Sequence, residues 1–278
     1  MNIAGKTAIV PGASRPVGRA IAKKLAENGV NLILPTFDWP ESITDMEKEF
    51  QQLGYSFLAL PVDLRSEEAV KGMVMIAREH FGSLHILVNN IERGGMPALH
   101  GGYDLPHNRG QWDLEIATTL KAKWLLFHHC YPLMQESGNG TVVNISSISG
   151  ITGRSGAAAP FFNDAYSAAN RAISSFTETW AREAAPSIRV NELQLGLIRH
   201  RHGEETRGWT AMDREEKTKI EEQCLLQRTG TPDEVASATL FLIKDADYMT
   251  GSVLRMDGGF VLGSQQVPPM PTGILGKE

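Results

Sequence analysis

The sequence predicts an α/β protein built on a doubly wound sheet of about seven parallel strands with helices on both faces. Three observations carry that expectation. Short apolar runs alternate with amphipathic stretches along most of the chain. The amphipathic stretches have the length and period of crossover helices between parallel strands. A glycine-containing turn joins the first strand to the first helix.

The elements follow in order. Residues 7–10, Thr-Ala-Ile-Val, read as a short buried strand. From Arg19 to Asn28 the apolar residues Ala20, Ile21, Leu25 and Ala26 fall at helical spacing, and Gly29 closes the helix. Residues 31–34 form a second strand, 41–53 a helix ending at Gly54, and 57–62 a third strand. A helix over 66–81 carries Glu67 and Glu68 in its first turn, where the helix dipole favours acids. Strands over 84–88, 141–145, 188–193 and 252–256 alternate with helices over 112–135, 165–184 and 232–243. The stretches 92–110, 153–164 and 199–219 break the pattern. We expect one domain over residues 1–262. Residues 263–278, with Pro268, Pro269 and Pro271, would form an arm or tail.

Composition limits the function. The chain has 278 residues, 42% of them hydrophobic, a net charge of −5 and a pI near 5.9. That length supports one large core. The acidic balance argues against a nucleic-acid partner, which needs a basic face. Cys130 and Cys224 show neither disulfide nor metal spacing, as expected for a reducing, cytoplasmic setting with no metal site. A secretory leader is not expected, and no run of eighteen apolar residues predicts a membrane span.

Function in such sheets lies beyond the carboxyl ends of the strands. The first of these loops is Pro11-Gly12-Ala13-Ser14-Arg15-Pro16-Val17-Gly18. A turn of this kind brings backbone N–H groups and a helix N-terminus to a pyrophosphate. Asp63-Leu64 follows the third strand and Asn89-Asn90-Ile91-Glu92 the fourth. Asn144-Ile145-Ser146-Ser147 ends the fifth strand, and Tyr166-Ser167-Ala168-Ala169-Asn170 opens the next helix. Arg189-Val190-Asn191, then Leu195-Gly196-Leu197-Ile198, 227–236 and 250–259 complete the series.

In this order, over residues 3–262, these segments resemble the short-chain dehydrogenase/reductase family. The resemblance implies a Rossmann-like fold and an NAD(P)-dependent oxidoreductase acting on a carbonyl, alcohol or acyl-thioester substrate. It implies cofactor contacts at Gly12, Ser14, Arg15, Val17, Gly18, Thr36, Asp63, Leu64, Asn90 and Ile198. Pro11 and Pro16 depart from the family's TGxxxGxG. Proline fixes φ and lacks an N–H, so Pro16 reshapes the turn, and weakens or adjusts cofactor binding, if the family's glycine there has a positive φ. Thr36 stands where an NAD-type acid usually lies, and Arg15 could meet a 2′-phosphate, so NADP(H) is preferred over NAD(H). Asp38 could still reach a ribose.

The family's chemistry uses a tyrosine, a serine, a lysine and an asparagine. Here the aligned residues are Tyr166, Ser147, Asn170 and Thr119, so two are kept and two replaced. Tyr166 would be the proton donor, Ser147 the clamp on the substrate oxygen, Asn170 a ribose contact and Thr119 a stand-in in the water relay. A free tyrosine titrates near pH 10, so only about one in a thousand is phenolate at pH 7. Without the lysine, forming the base costs roughly 4 kcal/mol of driving force. Reduction, in which neutral tyrosine is the acid, should suffer less than oxidation. His200 is either a proton donor near the nicotinamide or a surface histidine between Arg199 and Arg201. Ser147 and Tyr166 are nineteen residues apart, more than is usual in the family. The added stretch, with Phe161 and Phe162, borders the substrate mouth. The 199–219 loop, with Trp209 and Met212, takes the place of the family's lid. The resemblance also implies a homodimer or homotetramer. The other reading is an inactive subunit that senses cofactor or joins an active paralogue in a hetero-oligomer.

Overall fold

The computed structural model describes residues 1–92, 106–155, 159, 163–199, 212–265, 267–270 and 273. Seven parallel strands form one sheet: β1 (Thr7–Ile9), β2 (Asn31–Thr36), β3 (Phe57–Pro61), β4 (Ile86–Asn89), β5 (Gly140–Ser147), β6 (Ile188–Leu195) and β7 (Val253–Met256). Their spatial order is β3-β2-β1-β4-β5-β6-β7. The order reverses between β1 and β4, the switch point beyond whose strand ends such sheets bind their ligands.

Each strand must be apolar on both sides because helices cover both faces. Alternate residues feed two cores. Ala8, Leu32, Leu34, Ile86, Val88, Val143 and Leu193 pack into one layer. Ile9, Ile33, Leu87, Val142 and Val190 pack into the other. The first layer is closed by α1 (Pro16–Glu27), α2 (Pro40–Gln52) and a helix over Pro232–Lys244, through residues such as Ile21, Phe50 and Leu242. The second is closed by α3 (Glu67–Phe81), by the helix Ala122–Ser137 and by the helix Asp164–Ala184. There Phe127 and Trp180 stack at 4.3 Å.

The expected elements are present, with shifted ends. The helix expected from Arg19 starts at Pro16, because proline is suited to a first helical position, where its missing N–H has no helical partner. The helix expected over 112–135 is three pieces: α4 (Pro106–Glu115), a π-helical stretch (Ile116–Lys121) and α5 (Ala122–Ser137). After β5 come a short α6 (Ser149–Thr152) and the long α7 (Asp164–Ala184). The stretch expected to stay irregular to Lys219 instead contains α8 (Arg214–Gln223). Its capping box pairs Asp213 with Glu216, a local signal that outweighs the weak apolar period. The last helix, α9 (Pro232–Lys244), has the same device in Thr231 and Glu234. His200, Phe161, Phe162 and Trp209 lie outside the described residues.

Candidate active site

The glycine turn fits a dinucleotide pyrophosphate. Gly12 has φ +69°, which favours glycine, and a Cβ there would lie 3.0 Å from the Asn90 carbonyl oxygen. A Cβ on Gly18 would lie 2.2 Å from the Gly12 carbonyl oxygen. The loop and helix thus meet where side chains have no room. Pro16 is the first residue of α1, after Arg15 with extended φ −108°, a place where its missing N–H has no helical partner. Val17 and Gly18 supply the next first-turn N–H groups. Ser14 is buried in the turn. Asn90 donates from Nδ2 to the Pro11 carbonyl oxygen at 3.2 Å, tying the end of β4 to the turn.

A second group of expected cofactor contacts lies beyond β2 and β3. Thr36 is buried and its hydroxyl donates to the Leu60 carbonyl oxygen at 3.1 Å, so it faces β3. Asp63 is engaged by Arg65, whose Nε and Nη2 each reach a carboxylate oxygen at 2.8 Å. That side-chain pairing holds the Asp63 carboxyl below the usual carboxylate range. Leu64 and Ile198 are buried; Ile198 bridges Gly230 and its side chain packs into the core. Two guanidinium groups cover exposed aromatics here. Arg15 lies 4.4 Å from the Trp39 ring centroid and Arg65 lies 5.1 Å from that of Phe37. Arg65, Phe37 and Trp39 were missed in the sequence. Aromatics flanking Asp38 directly after a strand were the available signal.

The chemistry-bearing residues converge at the ends of β5 and α7. Ser147 is the last residue of β5, and its hydroxyl accepts from the Ser149 backbone N–H at 3.2 Å. A Cβ on Gly150 would stand 2.8 Å from the Arg171 nitrogen and 2.9 Å from the Asn170 carbonyl carbon. The segment after Ser147 is therefore pressed onto α7 one turn beyond Tyr166. Asn163 caps α7 by accepting from the Tyr166 N–H at 2.7 Å. Tyr166 is buried, and its hydroxyl donates to Glu92 Oε2 at 3.1 Å. Asn170 is fully buried; its Nδ2 donates to the Tyr166 carbonyl oxygen at 3.0 Å. Its Oδ1 has no hydrogen-bond partner among the described residues, leaving an acceptor that a ribose hydroxyl could use. Below the site, Asn89 donates to Asn144, and Asn144 donates to Thr177.

Thr119 sits in the π-helical stretch and donates from its hydroxyl to the buried Glu115. Lys123, 1% exposed, donates from Nζ to the Ile91 carbonyl oxygen at 2.5 Å and to the Thr119 carbonyl oxygen at 3.3 Å. Glu115 and Lys123 stand four residues before and after Thr119, a polar column whose spacing would have revealed them. Glu192 on β6 is buried and accepts from the Ser146 hydroxyl. Burial is the main influence on its carboxyl and pushes it up. Ser146, Ser174, Lys123 and Arg171 pull the other way. Cysteine chemistry is disfavoured: burial pushes the Cys130 thiol up, and the Cys224 thiol up to about 11.

Known proteins share both the order of these segments and the fold. The profile of a family described as enoyl-(acyl carrier protein) reductase matches residues 12–261. Glucose 1-dehydrogenase 2 of Bacillus subtilis (strain 168) is 30% identical over 269 residues, 96% of this chain and 98% of that protein. A 3-oxoacyl-[acyl-carrier-protein] reductase of Vibrio cholerae serotype O1 is 30% identical over 266 residues, 94% of this chain and all of that one. A solved structure from Sinorhizobium meliloti 1021, assigned to the short-chain alcohol dehydrogenases, superposes with a TM-score of 0.81 at 27% identity, covering 94% of this chain and 98% of that one. The chain belongs to the short-chain dehydrogenase/reductase family. Its class of activity is that of an NAD(P)-dependent oxidoreductase. No described helix is long and apolar enough to cross a membrane.

Proposed function

We propose that this protein is an NADP(H)-dependent reductase of small-molecule carbonyl groups, either ketones or carbonyls on an acyl-thioester chain. The observation that carries the reading is the convergence of Ser147 and the buried Tyr166 at the carboxyl end of the sheet, with Gly150 pressed onto α7. Ser147 holds the carbonyl oxygen and Tyr166 protonates it. Asn170 takes a ribose hydroxyl on its open Oδ1. The glycine turn and the first turn of α1 hold the pyrophosphate. A nicotinamide held there would supply a hydride to the carbonyl carbon, and Tyr166 would give its proton to the carbonyl oxygen as the π pair moves onto it.

Reduction is the favoured direction. A neutral phenol is already the acid that reduction needs, and no ammonium stands at residue 170 to support a phenolate. NADP(H) is the preferred form because Arg15 and Arg65 stand over Trp39 and Phe37 beyond β2, where a 2′-phosphate would meet planar donors. The homodimer or homotetramer expected of the family belongs to the same reading. Calorimetric titration tests the cofactor assignment. NADPH should bind at micromolar concentration and NADH at least about tenfold more weakly. Arg15→Ala with Arg65→Ala should erase the difference. Absence of NADPH binding at millimolar concentration, or equal affinity for the two forms, contradicts the reading.

A further inference from the structure

The hydroxyl of Tyr166 has a carboxylate for a partner: it donates to Glu92 Oε2 at 3.1 Å. Glu92 is half-buried just past the end of β4, so it stands between a buried phenol and the surface. The residue before it is clamped. Lys123 reaches across from α5 and donates from Nζ to the Ile91 carbonyl oxygen at 2.5 Å. The same ammonium donates to the Thr119 carbonyl oxygen at 3.3 Å, so it ties the π-helical stretch to the segment that carries Glu92. Glu115 holds the other side of that stretch by accepting from the Thr119 hydroxyl and lying 3.5 Å from Asn163 Nδ2. Asn163 in turn caps the helix that carries Tyr166. The carboxylate and the phenol are thus fixed towards each other from both flanks.

We propose that Glu92 is the proton-relay partner of Tyr166 and that Lys123 positions it. The inference rests on the reductase reading and deepens it. A carboxylate and a phenolate this close repel, so the pair is stable only while it holds a proton between them. When hydride reaches the carbonyl carbon, the carbonyl oxygen takes the Tyr166 proton. The Tyr166 oxygen then regains a proton from solvent by way of Glu92, which takes it up at its exposed edge and passes it on. Glu92 begins and ends the cycle as a carboxylate, the acceptor of the Tyr166 hydroxyl. The hydride and this one proton balance the reduction, with no further reactant. Among the described residues, the charged groups beside the pair include Lys123 on α5 and Glu115 on α4. Glu192 on β6 lies below, with Lys123 and Arg171 acting on it. The relay therefore predicts a reduction rate that falls as pH rises and solvent delivers protons to Glu92 more slowly.

The test compares wild type, Glu92→Gln, Glu92→Asp and Tyr166→Phe, each saturated with NADPH. Glutamine keeps a hydrogen-bonding partner for the tyrosine but carries no acid proton. The expected result for Glu92→Gln is a kcat about 100-fold lower near neutral pH, with KM within about threefold and the alkaline fall in kcat gone. Glu92→Asp should recover much of the rate. A glutamine variant with wild-type kcat and pH profile overturns the relay. A second readout does not need turnover. The ultraviolet tyrosinate band of Tyr166, isolated by subtracting Tyr166→Phe, should appear about one pH unit lower in Glu92→Gln than in wild type, because the neighbouring negative charge is gone. An unchanged titration also overturns the proposal. If wild type binds NADPH but reduces none of a carbonyl panel, the reductase reading fails, and the titration still decides the Glu92–Tyr166 coupling.

Discussion

At Asn170 the chain gives up a charge and keeps a hydrogen bond. The side chain is fully buried and donates to the carbonyl of Tyr166 one turn back. A lysine ammonium at this position would favour a phenolate at Tyr166, and only alcohol oxidation needs that phenolate as its base. Asn170→Lys is therefore expected to raise the oxidative rate about tenfold or more and to change the reductive rate much less. Initial rates in both directions check this, and equal changes would contradict it. Ser147, Tyr166 and Asn170 were legible in the sequence because each belongs to a short local pattern. Glu92 was legible only as a departure from that pattern, since its partner Tyr166 is 74 residues away and no spacing rule joins them. Lys123 was not singled out, although it follows Thr119 at one helical turn in an otherwise apolar helix.

At the scale of elements, the glycine turn shows how a departure in sequence can be absorbed. Pro16 replaces a glycine of the family pattern, yet it lands on the first residue of α1, where a fixed φ suits the helix and the missing N–H has no helical partner. Pro16→Gly should lower stability by about 0.5–1 kcal/mol in guanidinium unfolding, through the freer unfolded chain, and leave NADPH affinity within about threefold. A large loss of affinity would show that the proline shapes the site itself. Gly18 has no such freedom. An added methyl would lie 2.2 Å from the Gly12 carbonyl oxygen. Gly18→Ala should cost about 1–3 kcal/mol and weaken NADPH binding at least tenfold, readable by denaturation and calorimetry. The π-helical stretch over Ile116–Lys121 was not foreseen, because apolar periodicity over 112–135 is satisfied by a continuous helix. Extra residues in a helical turn turn side chains out of the regular α-helical phase, and this stretch carries Thr119.

Across the whole molecule, the topology was the most legible feature. Strand-length apolar runs separated by crossover helices allow few arrangements, and the parallel sheet follows from the right-handed crossover rule. The sequence did not reveal every polar group placed inside this frame. Glu192 sits in a strand buried on both faces, and burial raises its carboxyl above the usual range. A raised value means that the folded chain keeps a proton where the unfolded chain has released it. The associated stability is complete below the unfolded value of about 4.3 and is lost as pH rises through the folded value. Glu192→Gln, which imitates the protonated acid, should have a Tm close to wild type near pH 4 and a progressively higher Tm than wild type towards alkaline pH. Thermal melts across pH check this, and a constant offset would contradict it. The account as a whole depends on Tyr166 acting in a nicotinamide-dependent reduction. The most direct test is the initial rate of NADPH oxidation with ketone and 3-oxoacyl-thioester substrates, in wild type and Tyr166→Phe. Turnover in wild type and a kcat at least about 100-fold lower in the variant are expected, with NADPH affinity within about threefold. Equal rates in the two proteins, or NADPH binding with no turnover on any carbonyl, would contradict it.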